Sequence, residues 1–126
     1  MEKKFSKRWN RSIQPRKQRK YRFNAPLHVK QKYLSAYLSK NLREKYKKRN
    51  LNLRKGDNVK IMRGQFKNKT GKIDEVNMKK TFVYIGGIEV TKKDGTKTRY
   101  PIHPSNLMIT EINLDDKMRQ KILERE

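Results

Sequence analysis

Residues 53–73 read LRKGDNVKIMRGQFKNKTGKI, a strand pattern followed by a basic loop between two glycines. Val59 and Ile61 alternate with polar neighbours over Asn58–Arg63, the period of a half-buried strand. Gly64 and Gly71 then bracket a short loop carrying Arg63, Lys67, Lys69 and Lys72, with Lys55 just ahead of the strand. Glycine lets a backbone turn tightly and approach a phosphate that a Cβ would hold off. Four more β-rich segments succeed it. Thr70–Asn77 carries Ile73 and Val76, whose spacing of three predicts a bulge or a bend. Thr81–Ile85 is apolar on both faces, Ile88–Thr91 succeeds Gly86-Gly87, and Leu107–Ile112 closes the set. Asp94-Gly95 predicts a hairpin between segments ending near Lys92 and resuming near Lys97. Pro101 and Pro104 restrict their stretch of chain to a loop or tight turn. Five short strands in so few residues predict a mainly β fold, a small and strongly bent barrel.

Charge says what such a domain is for. The 126 residues hold 35 Lys and Arg against 12 Asp and Glu, a formal net charge of +23, and the mean hydropathy is −1.19. Residues 1–50 hold 18 Lys/Arg and 2 acids, whereas all six glycines lie between positions 56 and 95. The amino-terminal part therefore reads as a basic arm and the middle as the compact unit. So many like charges oppose compaction and call for a polyanionic partner. No apolar run approaches the ~20 residues of a membrane span. Nor is there an apolar stretch behind the basic start MEKKFSKRWNRS, so no secretory signal is expected. With no cysteine and two histidines, neither a disulfide framework nor a metal site is expected.

Within the arm, basic residues recur at nearly every second position from 3 to 22, interleaved with Trp9, Tyr21 and Phe23. That mixture suits an extension threading along RNA, cations on phosphates and rings on splayed bases. Pro15 is expected to break any helix there. Pro26, after Asn24 as a cap, is expected to start one. Leu34, Leu38, Leu42 and Tyr46 recur every four residues, widened by Tyr33 and Tyr37, and predict one basic amphipathic helix over 27–50. The division expected is an arm over 1–26, this helix, a barrel over 51–112 and a tail over 113–126. Leu114, Met118 and Ile122 hint at a short helix in the tail.

The 53–73 stretch resembles the KOW motif: a strand, a basic glycine-containing loop, then a glycine leading the next strand. That resemblance implies an SH3-like barrel. The flanks are more specific. Residues 25–28 (APLH), 34–39 (LSAYLS), 42–46 (LREKY) and the closing 101–109 (PIHPSNLMI) resemble the large-subunit ribosomal protein family L twenty-four, in its archaeal and eukaryotic form. The resemblance covers roughly residues 3–116. Asn68 stands where the family often has Gly, and Gly86-Gly87 where one Gly is more usual. The resemblance implies a cytoplasmic, ribosome-bound protein that contacts the five-prime domain of large-subunit rRNA. It further implies support of early assembly, a place among neighbouring ribosomal proteins near the polypeptide exit, and neither homo-oligomer nor small-molecule substrate.

The rRNA contacts expected in the arm are Lys3, Lys4, Lys7, Arg8, Trp9, Arg11, Arg16, Lys17, Arg19, Lys20, Tyr21, Arg22 and Phe23. The next segment offers His28, Lys30, Lys32, Lys40, Arg43, Lys47, Lys48 and Arg49. The barrel offers Lys55, Arg63, Gly64, Lys67, Lys69, Gly71 and Lys72, and the closing turn His103, Ser105 and Asn106. An enzyme is not expected, and neither is a cofactor. Gly64, Gly71 and Lys72 have the wrong spacing for a phosphate loop, and Ile73 replaces the Ser/Thr that holds Mg²⁺. Asp74 and Glu75, adjacent on a strand, would face opposite ways. A KOW transcription-elongation factor would place a mixed α/β domain where the arm stands. A DNA-packaging protein would explain the charge but not the glycine-bracketed loop.

Overall fold

The computed structural model describes residues 4–125. The arm opens with a 3-10 turn (Lys7–Arg11), whose entry is capped by the Ser6 side chain accepting from the Arg8 N–H. Helix α1 comes next, at Pro15–Asn24. Pro15 thus begins a helix where a break was expected. Its missing N–H falls on a first-turn position that has no intrahelical partner anyway. Of the described arm residues only Ala25, at the end of α1, is buried.

The expected single helix over 27–50 is not formed. The chain instead makes a short helix α2 (Leu27–Lys30), a 3-10 turn, strand β1 (Ser35–Leu38), helix α3 (Lys40–Tyr46) and strand β2 (Asn50–Asn52). The physical reason lies in the spacing. Leu34 and Leu38 are four apart, which is one helical turn but also two strand repeats, and Ala36 between them fits only the second. In β1 the side chains of Ala36 and Leu38 are buried while Tyr37 faces out. Lys47 ends α3 in the left-handed conformation, φ 53°.

Strands β3 (Asn58–Ile61), β4 (Thr70–Asn77), β5 (Phe82–Ile85), β6 (Glu89–Thr91), β7 (Lys97–Arg99) and β8 (Leu107–Glu111) complete the β structure. The main sheet has the order β2-β1-β8-β3-β4-β5, with β1 parallel to β8 and the other pairs antiparallel. β6 and β7 form a separate hairpin, closed by a bond from Lys92 N–H to Thr96 C=O and turned at Gly95 with φ +87°. The β4–β5 register slips between Ile73 and Glu75, the bulge expected from the spacing of Ile73 and Val76. After the hairpin, Ile102 bridges back to Val83.

The sheet curls around one core of Leu38, Val59, Ile61, Ile73, Val83, Ile85, Leu107 and Ile109, each at most 1% exposed. Each such side chain contributes about 1.5–3 kcal/mol on burial. The fold is mainly β, as expected. The ladder leaves β2 and β5 as its ends, so curvature rather than a continuous ring of hydrogen bonds encloses the core.

Helix α4 (Lys117–Glu124) turns the tail back onto the domain. The short tail helix hinted at by Leu114, Met118 and Ile122 is thus present, but the residues it buries are Arg119 and Leu123, while Met118 and Ile122 are exposed. Arg119 makes a bidentate pair with Asp57, both bonds 2.6 Å. The same guanidinium donates to the carbonyls of Asn113 (2.9 Å) and Asn52 (3.0 Å). Asp57 also accepts from the backbone N–H groups of Arg54 and Asn113. One buried ion pair thus joins β2, the turn before β3, and the tail. Asp116 caps the helix by accepting from the Met118 N–H. That bond, with a second from Arg54, holds its carboxyl below the ordinary carboxylate range.

Candidate nucleic-acid interface

The loop between β3 and β4 is anchored from within. Phe66 is buried and packs against Tyr100 with ring centroids 5.1 Å apart. Bonds from Asn68 N–H to Ile61 C=O and from Ile61 N–H to Lys69 C=O close its base. With Phe66 held inward, Arg63, Lys67 and Lys69 all stand exposed, Lys69 lying over the Phe66 ring at 5.1 Å. Gly64 has φ +95° and open space where a Cβ would be. Asn68 also has positive φ, 68°. Its side chain tolerates that conformation better than most, so Asn68 supports the turn without Gly.

Gly71 plays a different part from Gly64. It lies in β4, and a Cβ there would meet Ile85 Cγ2 at 2.6 Å and the Gly86 carbonyl at 2.9 Å. Its missing side chain serves close strand packing, not an approach to phosphate. Lys72 and Lys55 are exposed beside it in sequence and across the β3 turn.

Lys3 lies outside the described residues. In the described arm, Lys4, Lys7, Arg8, Arg11, Arg16, Lys17, Arg19, Lys20 and Arg22 are exposed. The aromatics divide. Tyr21 stacks on Phe5 at 5.2 Å, Trp9 meets Phe5 edge-on at 6.5 Å, and Lys20 sits 4.8 Å from the Trp9 ring. These rings staple the 3-10 turn to α1. Phe23, by contrast, is 81% exposed.

On the segment after the arm, His28, Lys32, Lys40, Arg43, Lys47 and Arg49 are exposed, and Lys30 and Lys48 half-buried. Lys30 donates to the Lys79 carbonyl and Lys48 to that of Arg125. Arg49 donates to the Tyr37 hydroxyl and lies over its ring. In the closing turn, His103 Nδ1 accepts from the Ser105 N–H and the Asn106 carbonyl accepts from the Met62 N–H. This turn leads the chain into β8, and Ser105 stays exposed while Asn106 is half-buried.

The fold adds cations that the sequence pattern does not pick out. Lys79 and Lys80, on the β4–β5 turn, come alongside α1, Lys30 and His103. Only folding brings them there; their one local signal is a lysine pair at a turn. Among the described residues, three ion pairs form: Arg54–Asp116, Arg99–Glu75 and Arg119–Asp57. The other described lysines and arginines have no described carboxylate within salt-bridge reach. The described residues gather no cluster of three or more His, Cys, Asp or Glu fit for a metal ion, and no described helix is long and apolar enough to cross a membrane.

Known proteins place this arrangement. The "Large ribosomal subunit protein uL24" of Methanothrix thermoacetophila is 49% identical over 114 residues, 90% of this chain and 98% of the relative. The protein of the same name from Methanoculleus marisnigri is 49% identical over 112 residues, 89% of this chain and 93% of the relative. The sequence pattern of the family of eukaryotic ribosomal proteins L26 and their archaeal L24 counterparts matches residues 12–126. That match takes in the tail helix, beyond the stretch ending near 116 that the motifs covered. An aligned core, loop and tail of this extent leave one conclusion: the chain belongs to this archaeal and eukaryotic family of ribosomal proteins.

Proposed function

We propose that the protein is a structural constituent of the large ribosomal subunit that binds its rRNA directly, through the arm and the β3–β4 loop. The observation that carries this reading is the surplus of unneutralised cations on a well-packed small domain. Among the described residues, only Arg54, Arg99 and Arg119 of the many Lys and Arg meet a carboxylate. Such a surface repels itself until phosphates neutralise it, and release of the RNA's counterions then drives association. The arm buries almost nothing of its own, so its cations and the Phe23 ring are available to a strand laid along it. The loop offers Arg63, Lys67 and Lys69 on a base fixed by Phe66.

Membership of the family supports the finer assignments: contact with the five-prime domain of the rRNA, a part in early assembly, and a place among other proteins near the polypeptide exit in the cytoplasm. The protein acts by holding RNA and catalyses nothing, in keeping with a ribosomal-protein family. Sedimentation of a cell lysate tests the reading. The protein is expected to travel with large subunits and to remain through a high-salt wash. Migration with RNA polymerase or with DNA would refute it.

A further inference from the structure

A cleft of about 510 Å³ opens between the arm and the β4–β5 turn. Five cations line it: Arg19 and Arg22 from α1, Lys30 from α2, and Lys79 and Lys80 from the turn. Rings line it too: Phe23, Tyr33, Phe82 and His103, with no carboxylate among the lining residues. The pieces are tied together. Lys30 Nζ donates to the Lys79 carbonyl at 3.1 Å, Arg22 lies 5.9 Å from the Tyr33 ring, and Phe82 meets His103 edge-on at 6.2 Å. At its rim, Thr81 holds φ at 58°. That is an outlier for a β-branched residue, and such conformations concentrate where a site over-determines them.

We propose that this cleft takes a single unpaired nucleotide extruded from an RNA strand, its base on the aromatic lining and its phosphates among the five cations. The proposal rests on the rRNA-binding reading and narrows it to one kind of RNA feature. A free phosphate or a duplex backbone would satisfy the cations, yet would leave Phe23, 81% exposed, with nothing to cover it. An unpaired base has a free π-face, and stacking on an aromatic tolerates any base. A duplex keeps its bases in the stack and cannot enter. An acidic protein segment fits the charge but offers no such flat face.

Two RNA hairpins alike except for one nucleotide test this: in one it is bulged, in the other paired. The full chain is titrated with each at the same salt. The bulged hairpin is expected to bind about tenfold tighter, the scale of one base–ring stack. Phe23→Leu keeps apolar volume at an exposed position and removes the ring, so the preference is expected to fall below about twofold. Tyr33→Leu gives a second ring variant. Equal affinity of the unaltered protein for both hairpins would overturn the nucleotide site while leaving rRNA binding standing. A preference that survives in both ring variants would also overturn it. Failure to bind either hairpin at low salt would overturn the rRNA-binding reading itself.

Discussion

Replacing Arg119 by methionine keeps the stem's volume but removes the guanidinium from the buried pair with Asp57. Arg119 is 2% exposed and Asp57 is fully buried. Four hydrogen bonds are lost at once, two to the carboxylate and two to the carbonyls of Asn113 and Asn52. Asp57 keeps two backbone N–H donors, from Arg54 and Asn113, but its charge is left without a counter-charge in a dry site. Breaking a buried pair from one side costs about 3–5 kcal/mol, a large share of the ~5–15 kcal/mol that stabilises a domain. With an unfolding entropy of about 2.1 cal/mol/K per residue over 126 residues, each kcal/mol moves Tm by roughly 4 °C. Thermal or urea unfolding of Arg119→Met should therefore show Tm lowered by about 10–20 °C. Adding Asp57→Asn removes the stranded charge and should restore at least about 1 kcal/mol of the loss. A loss below about 1 kcal/mol, the worth of an exposed pair, would refute the idea that this pair fastens the tail.

Three further outcomes are expected. Gly71→Ala should lower stability by about 1–3 kcal/mol by driving a methyl into β5, whereas Lys67→Ala should leave unfolding unchanged and weaken RNA binding alone; loss of folding in Lys67→Ala would reject that separation. Deleting residues 1–23 should leave a cooperatively folding β domain that binds rRNA far more weakly, and unchanged affinity would show the arm to be a solvated tail. The Asp116 carboxyl titrates lower in the folded chain than in the unfolded one, because the Met118 N–H and Arg54 favour its ionised form. Its stabilisation is thus complete above the ordinary carboxylate pKa of about 4 and fades as pH falls through the lower folded value. Asp116→Ala should accordingly be less stable than the parent at neutral pH, with the difference shrinking as acid protonates the Asp116 carboxyl.

How much of this was legible in the sequence depends on which signal each element used. Strand β4 was readable to the residue, and its bulge too, because alternation and the spacing of Ile73 and Val76 are local facts. The β6–β7 turn announced itself in Asp94-Gly95. The segment 27–50 misled because a four-residue repeat satisfies helix and strand alike, and the sheet's demand for partners to β8 settled it as β1. Pro15 was legible as a helix boundary but not as which end. The tail face was missed because a buried arginine looks like surface in any hydropathy pattern; only the distant Asp57 explains it. The same holds for the interface. The β3–β4 cations were visible as a run, while Lys79 and Lys80 gained their setting from residues far earlier in the chain, Lys30 among them.

The salt dependence of binding is the sharpest check that phosphates neutralise the exposed cations. The full chain is titrated against large-subunit rRNA over a range of monovalent salt. If about ten phosphates are engaged, log affinity should fall against log salt with a slope near about −7, at roughly −0.7 per contact on single strands. An affinity that does not change with salt would rule this out, because the exposed cations would then have no part in holding the RNA.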